Sequence, residues 1–161
     1  MAEHAPADLP PIGLQGLLVL VVEDSTETAF TLTRLFASYG AFKVELKASA
    51  RQALARLNDP AQPLPDLAVI DYHLSGELTG LDLALEMRKQ PRLRQIKRVS
   101  YSSLDEADLR RAAADADLPG DPVYHAIVPK PQKAAVLVRH MADLVKRQQL
   151  EELVQKLAAL L

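Results

Sequence analysis

The sequence predicts an α/β fold in which a five-stranded parallel sheet carries helices on both faces. Two apolar runs, Leu17–Val22 and Leu67–Ile70, have the length and composition of strands that are buried on both faces of a sheet. Segments of helix length separate five such candidate strands, as in a series of βαβ units. Both apolar runs end in acidic residues, Glu23-Asp24 and Asp71. The carboxyl edge of an open α/β sheet, where these acids would gather, is where such sheets bind ligands.

The expected strands are short and differ in polarity. The first and third are almost wholly apolar, whereas the fourth is unusually polar. Proline at position 129, at the end of the fifth, cannot donate to a sheet ladder and belongs on an edge or at a strand end. The order 2-1-3-4-5 places the fifth strand at an edge, in agreement with that proline. The strands are expected at Leu17–Val22, Phe42–Lys47, Leu67–Asp71, Arg98–Ser102 and Val123–Val128.

Capping residues and breakers mark the helices between these strands. Ser25 and Ser49 are suited to accept N–H groups at the starts of the first two helices, and Gly40 ends the first. Asp105 and Glu106 suit the first turn of a helix, where the helix dipole favours acids. The last three helices are expected around Leu81–Lys89, from near Leu104, and after Pro131.

Length and composition favour one modest domain. The chain has 161 residues, a formal net charge of -2 and no cysteine, so disulfides and thiolate metal sites are excluded. The charge balance gives no reason to expect nucleic acid, and no apolar stretch approaches the roughly 20 residues that cross a membrane. We expect a flexible N-terminal tail at 1–14, one domain at 15–146, a helical extension at 147–161 and a cytoplasmic location.

Three carboxylates at one sheet edge repel each other unless a cation lies among them. Glu23, Asp24 and Asp71 offer oxygen atoms, the ligands that hard cations prefer, and we therefore expect a Mg²⁺ site. Each residue taken alone has an ordinary alternative, because an acidic pair after a strand can cap a helix and Asp71 can be a turn residue.

Four short segments, each at the end of its own expected strand, together resemble one family. They are Val-Val-Glu-Asp-Ser at 21–25, Val-Ile-Asp-Tyr at 69–72, Ser102-Ser103 and Lys130-Pro131. In this order they resemble the receiver domain of two-component response regulators, over roughly Leu17 to Leu144. The resemblance implies a flavodoxin-like topology for the expected sheet. It also implies that a histidine kinase phosphorylates the chain.

The resemblance assigns a role to each acid at the sheet edge. Asp71 would be the phosphoacceptor and a Mg²⁺ ligand. Asp24 would bind the metal directly, and Glu23 directly or through water. The backbone carbonyl of His73 would complete the protein ligands. Hard Mg²⁺ prefers oxygen, so the imidazole ring of His73 is not expected to bind it.

The resemblance also implies that Lys130 and Ser102 act on the phosphoryl group. Lys130 would neutralise its oxygen atoms, and Ser102 would donate its hydroxyl after transfer. Taken alone, Lys130 could be a solvated surface lysine and Ser102 a turn hydroxyl. The acyl phosphate on Asp71 would be hydrolysed by water, so we expect a signalling protein with slow autodephosphorylation rather than an enzyme.

The sequence departs from the family pattern at three places. The loop 73–80 lacks the usual proline and has one residue more than usual before its glycine. Ser103 stands where alanine is common. Ile127 occupies the position in strand five where many receivers carry an aromatic ring that swings inward on activation. We expect a small activation change on the face formed by the fourth and fifth strands and helices.

A second apolar stripe follows the domain. At about 100° per residue, it points nearly opposite to the sheet-packing stripe that begins at Ala134 and includes Leu137, if the last helix is continuous. The helix then either breaks and folds back or projects as an arm that binds another protein. We expect a homodimer through the arm, and a folded-back or disordered tail is the alternative. The stripe consists of Leu150, Leu153, Leu157 and Leu160.

Three classes of function fit these residues. The first is a stand-alone phosphorylatable receiver, whose partners would be a sensor histidine kinase, with a bacteriophytochrome as one candidate, and a histidine phosphotransfer protein. The second is a pseudo-receiver adaptor, which usually lacks an acid or the lysine that this chain retains. The third is a magnesium phosphatase of the haloacid-dehalogenase type. That class needs an aspartate two residues after the nucleophile, where this chain has His73.

Overall fold

Five strands alternate with five helices within residues 13–130 and 134–160, which the computed structural model describes. Most of the expected tail, at 1–12, and the residue that would follow Lys130 in the expected motif, Pro131, lie outside the described residues. The strands are β1 (Leu18–Val22), β2 (Lys43–Lys47), β3 (Leu67–Ile70), β4 (Lys97–Ser102) and β5 (Ala126–Pro129). The helices are α1 (Thr26–Ser38), α2 (Ala50–Leu57), α3 (Gly80–Lys89), α4 (Glu106–Ala114) and α5 (Ala134–Leu160).

The strands form one parallel sheet in the order β2-β1-β3-β4-β5, which confirms the predicted flavodoxin-like topology. The register of the central pair aligns Val22 of β1 with Ile70 of β3. Glu23 and Asp71 therefore leave the sheet side by side. Ser102 and Pro129 are aligned in the same way at the ends of β4 and β5. The register thus brings the carboxyl ends of β1, β3, β4 and β5 to one edge of the sheet.

Apolar side chains fill both faces of the sheet. Alternate residues of β1 face opposite sides, so that Leu20 packs with α2, α3 and α4, and Val21 packs with α1 and α5. All residues of β1 and β3 are buried, as expected of central parallel strands. Leu14 is also fully buried, and its N–H donates to the Tyr39 carbonyl. The packed part of the chain therefore starts slightly before the expected boundary at residue 15.

The expected caps of the first two helices are confirmed. Ser25 accepts an N–H from Thr28, and Ser49 accepts one from Gln52. The fourth helix begins later than expected, because Asp105 is its N-cap rather than part of its first turn. The Asp105 carboxylate accepts N–H groups at the start of α4, and a capping side chain stabilises the helix only from that non-helical position.

The prediction that strand five begins at Val123 was wrong, because β5 begins at Ala126. Val123 and Tyr124 are buried as a strand would be, but their backbone groups have other partners. The Val123 N–H donates to the Asp117 carboxylate, and the Val123 carbonyl accepts from the guanidinium of Arg98. Side chains thus replace the sheet ladder in this segment.

Arg98 is a buried cation in β4 that holds the segment before β5. Its side chain is only 1% exposed and donates to four backbone carbonyls. Because burial disfavours its charged form, the pKa of Arg98 falls to about 10, and the guanidinium stays charged at neutral pH. Arg98 therefore anchors the chain from which β5 leads to Lys130. The four acceptors are the carbonyls of Arg94, Ile96, Pro122 and Val123.

The last helix, α5, runs without a break from Ala134 to Leu160. Leu137, Met141 and Leu144 of its first half are buried against the sheet, whereas every residue of 150–160 is exposed. We call residues 150–160 the C-terminal arm. The arm continues the helix and does not fold back onto the domain. No described helix combines the length and apolarity that a membrane crossing requires.

Replacing Arg98 by Met should destabilise the protein. The substitution keeps a long unbranched side chain but leaves buried carbonyls without donors, and each such group costs about 1–3 kcal/mol. We expect the free energy of unfolding, measured by urea denaturation, to fall by at least about 2 kcal/mol. The control is Arg94→Met, at an exposed residue that reaches the Arg88 carbonyl, and it should change stability by less than about 0.5 kcal/mol. Equal stability of the two variants would show that Arg98 is not an anchor.

Candidate functional site

Three carboxylates meet at the carboxyl edge of β1 and β3. Glu23, Asp24 and Asp71 each offer an oxygen atom, and these atoms all lie within 4.8 Å of one another. Glu23 and Asp71 are buried, while Asp24 is exposed. Because the strands deliver these residues to the same level of the sheet, the cluster depends on the register of β1 and β3.

Among the described residues, Lys130 is the cation that contacts this cluster. Its ammonium nitrogen lies 3.0 Å from Glu23 Oε2 and 3.6 Å from Asp71 Oδ2. The Lys130 N–H donates to the Ser102 carbonyl at 2.8 Å, which holds the end of β5 beside the end of β4. The lysine predicted from the sequence therefore does not extend into solvent. Its charge offsets part of the repulsion between two buried acids.

The oxygen atoms of the two buried acids differ in how they are satisfied. Glu23 Oε1 accepts the Ser25 N–H at 3.1 Å, and Oε2 accepts from Lys130. Asp71 Oδ1 is buried without a hydrogen-bond partner among the described residues. A buried carboxylate oxygen without a partner is costly. Asp71 Oδ1 accepts no hydrogen bond from the described residues, whereas each oxygen of Glu23 already accepts one.

The donor set fits Mg²⁺. All three residues supply carboxylate oxygen, the ligand type that Mg²⁺ prefers, and Asp71 Oδ1 has no other partner in the described part of the chain. Asp24 and Asp71 are the better direct ligands, because both oxygens of Glu23 already accept hydrogen bonds. Glu23 suits contact through a water molecule, which Mg²⁺ commonly keeps.

Burial also changes the titration of Glu23. Loss of water around the carboxyl group raises the pKa of Glu23, and this outweighs the hydrogen bond from Lys130. The nearby charge of Asp71 raises it further. The ionised form of Glu23 therefore carries an energetic cost in the folded protein when no metal is bound.

Ser102 and His73 lie where the sequence places them. Ser102, at the end of β4, is 1% exposed, and its Oγ accepts the Leu104 N–H at 3.2 Å. His73 follows Asp71 by two residues and is exposed, with its ring edge-on to Tyr72 at 5.0 Å between centroids. The imidazole is thus engaged with a neighbouring ring, and a role for His73 in metal binding would fall to its backbone carbonyl.

Tyr101 is a further contact that the sequence analysis missed. The Lys130 ammonium lies 5.4 Å from the centre of the Tyr101 ring, within the range of a cation–π attraction. Tyr101 is the half-buried neighbour of Ser102 in β4. A polar strand with an aromatic residue beside the serine was visible in the sequence, but the pairing of β4 with β5 was needed to bring that ring to Lys130.

Gly80 was also missed, and it fixes the backbone of Asp71. Its N–H donates to the Tyr72 carbonyl at 2.9 Å. A Cβ at this position would lie 1.9 Å from the Asp71 carbonyl oxygen, so no other residue fits without moving Asp71. The start of α3 is therefore packed directly against the end of β3. The glycine was noted as part of the loop, but its close approach could not be read from the sequence.

The extended loop reaches the acidic cluster through Ser75. The Ser75 hydroxyl donates to Asp24 Oδ2 at 2.8 Å. The loop 73–80 was recognised as unusual in length, although no residue of it except His73 was assigned to the site. Ser75 is therefore a site contact that the sequence analysis did not identify.

Comparisons with known proteins agree with this geometry. The family model described as "Response regulator receiver domain" matches residues 19–142, so the chain belongs to that family. Membership places the chain in two-component signalling. A comparison with curated protein sequences finds no match.

Solved structures show the same fold. The signal receiver domain of a histidine kinase from Syntrophus aciditrophicus is 26% identical, with a TM-score of 0.68 over 81% of this chain and 91% of that one. The phosphorylated cyanobacterial phytochrome response regulator RcpA is 19% identical, with a TM-score of 0.62 over 80% and 91%. The Mn²⁺-bound form of the response regulator Rcp1 is 20% identical, with a TM-score of 0.59 over 81% and 91%.

Neutralising Glu23 should stabilise the metal-free protein. The raised pKa means that the folded state holds the Glu23 proton more tightly than the unfolded chain does. Its ionisation therefore costs stability at neutral pH, and that cost disappears as the pH falls through the folded pKa. We expect Glu23→Gln to raise the free energy of unfolding at pH 7 in EDTA, and the gain to shrink toward acidic pH.

Asp143→Asn is the matched control, because Asp143 is an exposed acid within α5 and away from both of its ends. It should leave stability and its pH dependence nearly unchanged. Urea denaturation across a pH series measures both variants. A loss of stability in Glu23→Gln at pH 7 would mean that the bond to Lys130 outweighs the cost of burial.

Proposed function

We propose that the chain is a phosphorylatable receiver, in which Asp71 accepts a phosphoryl group from a histidine kinase with Mg²⁺ bound. The observation that carries this proposal is the position of Asp71. Its Oδ2 lies 3.6 Å from the Lys130 ammonium, and its Oδ1 is buried beside two further acids without a hydrogen-bond partner within 13–130 and 134–160. One oxygen is thus near a cation and the other is available to a metal.

The transfer requires positioning and charge stabilisation more than acid–base catalysis. A carboxylate oxygen of Asp71 attacks phosphorus, the bond from phosphorus to the kinase histidine breaks, and the imidazole leaves with its electron pair. Bound Mg²⁺ supplies positive charge that offsets the charge on the phosphoryl oxygens. Lys130 adds a second positive charge, and Ser102 can donate its hydroxyl to a phosphoryl oxygen.

In this scheme the Lys130 ammonium can move from Glu23 toward the phosphoryl group on Asp71. Before transfer the ammonium is closer to Glu23 than to Asp71, at 3.0 Å against 3.6 Å. A phosphoryl group on Asp71 brings more negative charge to that side, which favours movement of the ammonium toward it. Glu23 would then lose its lysine partner and become available to the metal or to its water shell.

The acyl phosphate formed on Asp71 is a mixed anhydride, and water can attack it. Hydrolysis returns Asp71 to a carboxylate and releases inorganic phosphate. Phosphorylation of Asp71 would therefore be temporary, and the protein would act as a signalling protein rather than as an enzyme with an external substrate.

The proposed partners follow from the family. A sensor histidine kinase in the cytoplasm would be the donor, and a histidine phosphotransfer protein could receive the group in a relay. The similarity to the phytochrome response regulator RcpA supports a bacteriophytochrome as the kinase. The similarity to Rcp1, whose structure contains Mn²⁺, supports a divalent ion at the acidic cluster.

We also propose that the C-terminal arm forms a homodimer. Five apolar side chains of the arm are 52% to 82% exposed, and an apolar stripe of this kind commonly marks an interface. The arm spans 11 residues, or about 16 Å, so a second copy packed along it would cover the stripe. The exposed residues are Leu150, Leu153, Val154, Leu157 and Leu160.

Phosphorylation can be tested with a small phosphodonor. Incubation with acetyl phosphate and Mg²⁺ should add one phosphoryl group to the parent, and Asp71→Asn should gain none, because the amide is not a nucleophile at neutral pH. Intact-mass spectrometry measures the gain. EDTA should abolish it in the parent, and Asp115→Asn, at an exposed residue of the α4 C-cap, should behave like the parent. No Mg²⁺-dependent gain in the parent would favour the pseudo-receiver adaptor.

The dimer can be tested with two variants of the arm, one with an acid in the apolar stripe and a control with an acid on the opposite side of the helix. Leu157→Glu places an acid within the apolar stripe, whereas Gln155→Glu places one on the opposite side, and both positions are exposed. We expect light scattering after gel filtration to give a dimer for the parent and Gln155→Glu, and a monomer for Leu157→Glu. A parent that is monomeric, or a Leu157→Glu variant that stays dimeric, would contradict the proposal.

A further inference from the structure

We propose that Ser75 is a positioning residue for the metal site, because its hydroxyl holds the carboxylate of Asp24 in the orientation that binds Mg²⁺. The inference rests on the proposed function, since it assumes that Asp24 is a metal ligand. It adds a residue from the extended loop to the site. Ser75 is not itself placed as a ligand.

Asp24 is the member of the acidic cluster that most needs such support. Glu23 and Asp71 are buried and restricted by their surroundings, but Asp24 is exposed. An exposed carboxylate samples several side-chain conformations, and fixing one costs entropy when a metal binds. The hydrogen bond from Ser75 to Asp24 Oδ2, at 2.8 Å, imposes that restriction in advance. It leaves Oδ1 of Asp24 available to the metal.

The backbone of the loop explains how Ser75 reaches Asp24. The next residue is Gly76, with φ +100°, a left-handed conformation that residues with a Cβ rarely adopt. The backbone therefore bends directly after Ser75. The loop leaves the sheet after Asp71 and returns at Gly80, which packs against the Asp71 carbonyl. Both ends of the loop are therefore fixed at the phosphoacceptor.

Leu74 and Leu78 pack against the apolar core, whereas the outer part of the loop, at Gly76 and Glu77, is exposed. A cavity of about 160 Å³ separates it from the start of α2, and an exposed ion pair between Arg51 and Glu77, at 3.8 Å, crosses that gap. An exposed pair of this kind contributes little to stability. The bond from Ser75 to Asp24 is thus the short polar link between the loop and the acidic cluster.

The expected loss of Mg²⁺ affinity can be estimated from the behaviour of metal sites in other proteins. Residues that hydrogen-bond to metal ligands orient them, and removing such a residue typically costs about 10–100-fold in metal affinity. Since Asp24 is exposed and the other ligands keep their own supports, we expect the lower end of that range. Ser75→Ala should therefore weaken Mg²⁺ binding by about tenfold.

The test measures the Mg²⁺ dissociation constant of the full chain by isothermal titration calorimetry. Ser75→Ala should raise the constant by about tenfold, and Ser75→Thr, which keeps a hydroxyl, should restore it to near the parent value. Glu77→Gln is the loop control, because it removes the ion pair to Arg51 without touching Asp24. Ser38→Ala, at an exposed serine near the end of α1, is the control for loss of a serine hydroxyl elsewhere.

Three outcomes would overturn the inference while leaving the proposed function intact. Ser75→Ala could bind Mg²⁺ as tightly as the parent, or more tightly if the hydroxyl competes with the metal. Glu77→Gln could weaken binding as much as Ser75→Ala, which would assign the effect to loop order and not to the hydroxyl. A parent that shows no Mg²⁺ binding would instead contradict the proposed function. Thermal unfolding in EDTA should be the same for the parent and Ser75→Ala.

Discussion

The structure depends on one constraint, which is that two acids are buried side by side at the end of β1 and β3. Glu23 and Asp71 are brought together by the alignment of Val22 with Ile70, so neither acid can be moved without shifting a central strand. Lys130 offsets part of their repulsion, but one positive charge does not balance two buried negative charges and the exposed Asp24. The metal-free site is therefore unbalanced, and a bound divalent cation would relieve that imbalance.

Much of the remaining chain serves to keep these groups in place. Arg98 fixes the segment that precedes β5, and β5 ends at the residue before Lys130. Gly80 packs the start of α3 against the backbone of Asp71 and leaves no space for a side chain between them. The extended loop between Asp71 and Gly80 contacts the cluster through the hydrogen bond from Ser75 to Asp24. The same contacts therefore stabilise the fold and keep the charged groups of the site in position.

The sequence predicted the strand order and the gathered acids because both follow from short-range patterns. Apolar runs that end in acids identify β1 and β3, and Pro129 identifies an edge. Features that depend on side chains meeting across long distances could not be predicted. Val123 is buried like a strand residue, yet its carbonyl accepts from Arg98, and nothing in its own neighbourhood shows this. The contact of Ser75 with Asp24 joins residues 51 positions apart.

The most direct measurement is a crystal structure of the full chain with Mg²⁺ and a phosphoryl mimic such as beryllofluoride. We predict a metal ion bound to Asp71 Oδ1 and Asp24, the mimic on the other oxygen of Asp71, and the Lys130 ammonium moved from Glu23 to the mimic. A structure in which the mimic binds Asp71 without a metal, or in which Lys130 stays on Glu23, would contradict the charge balance described above.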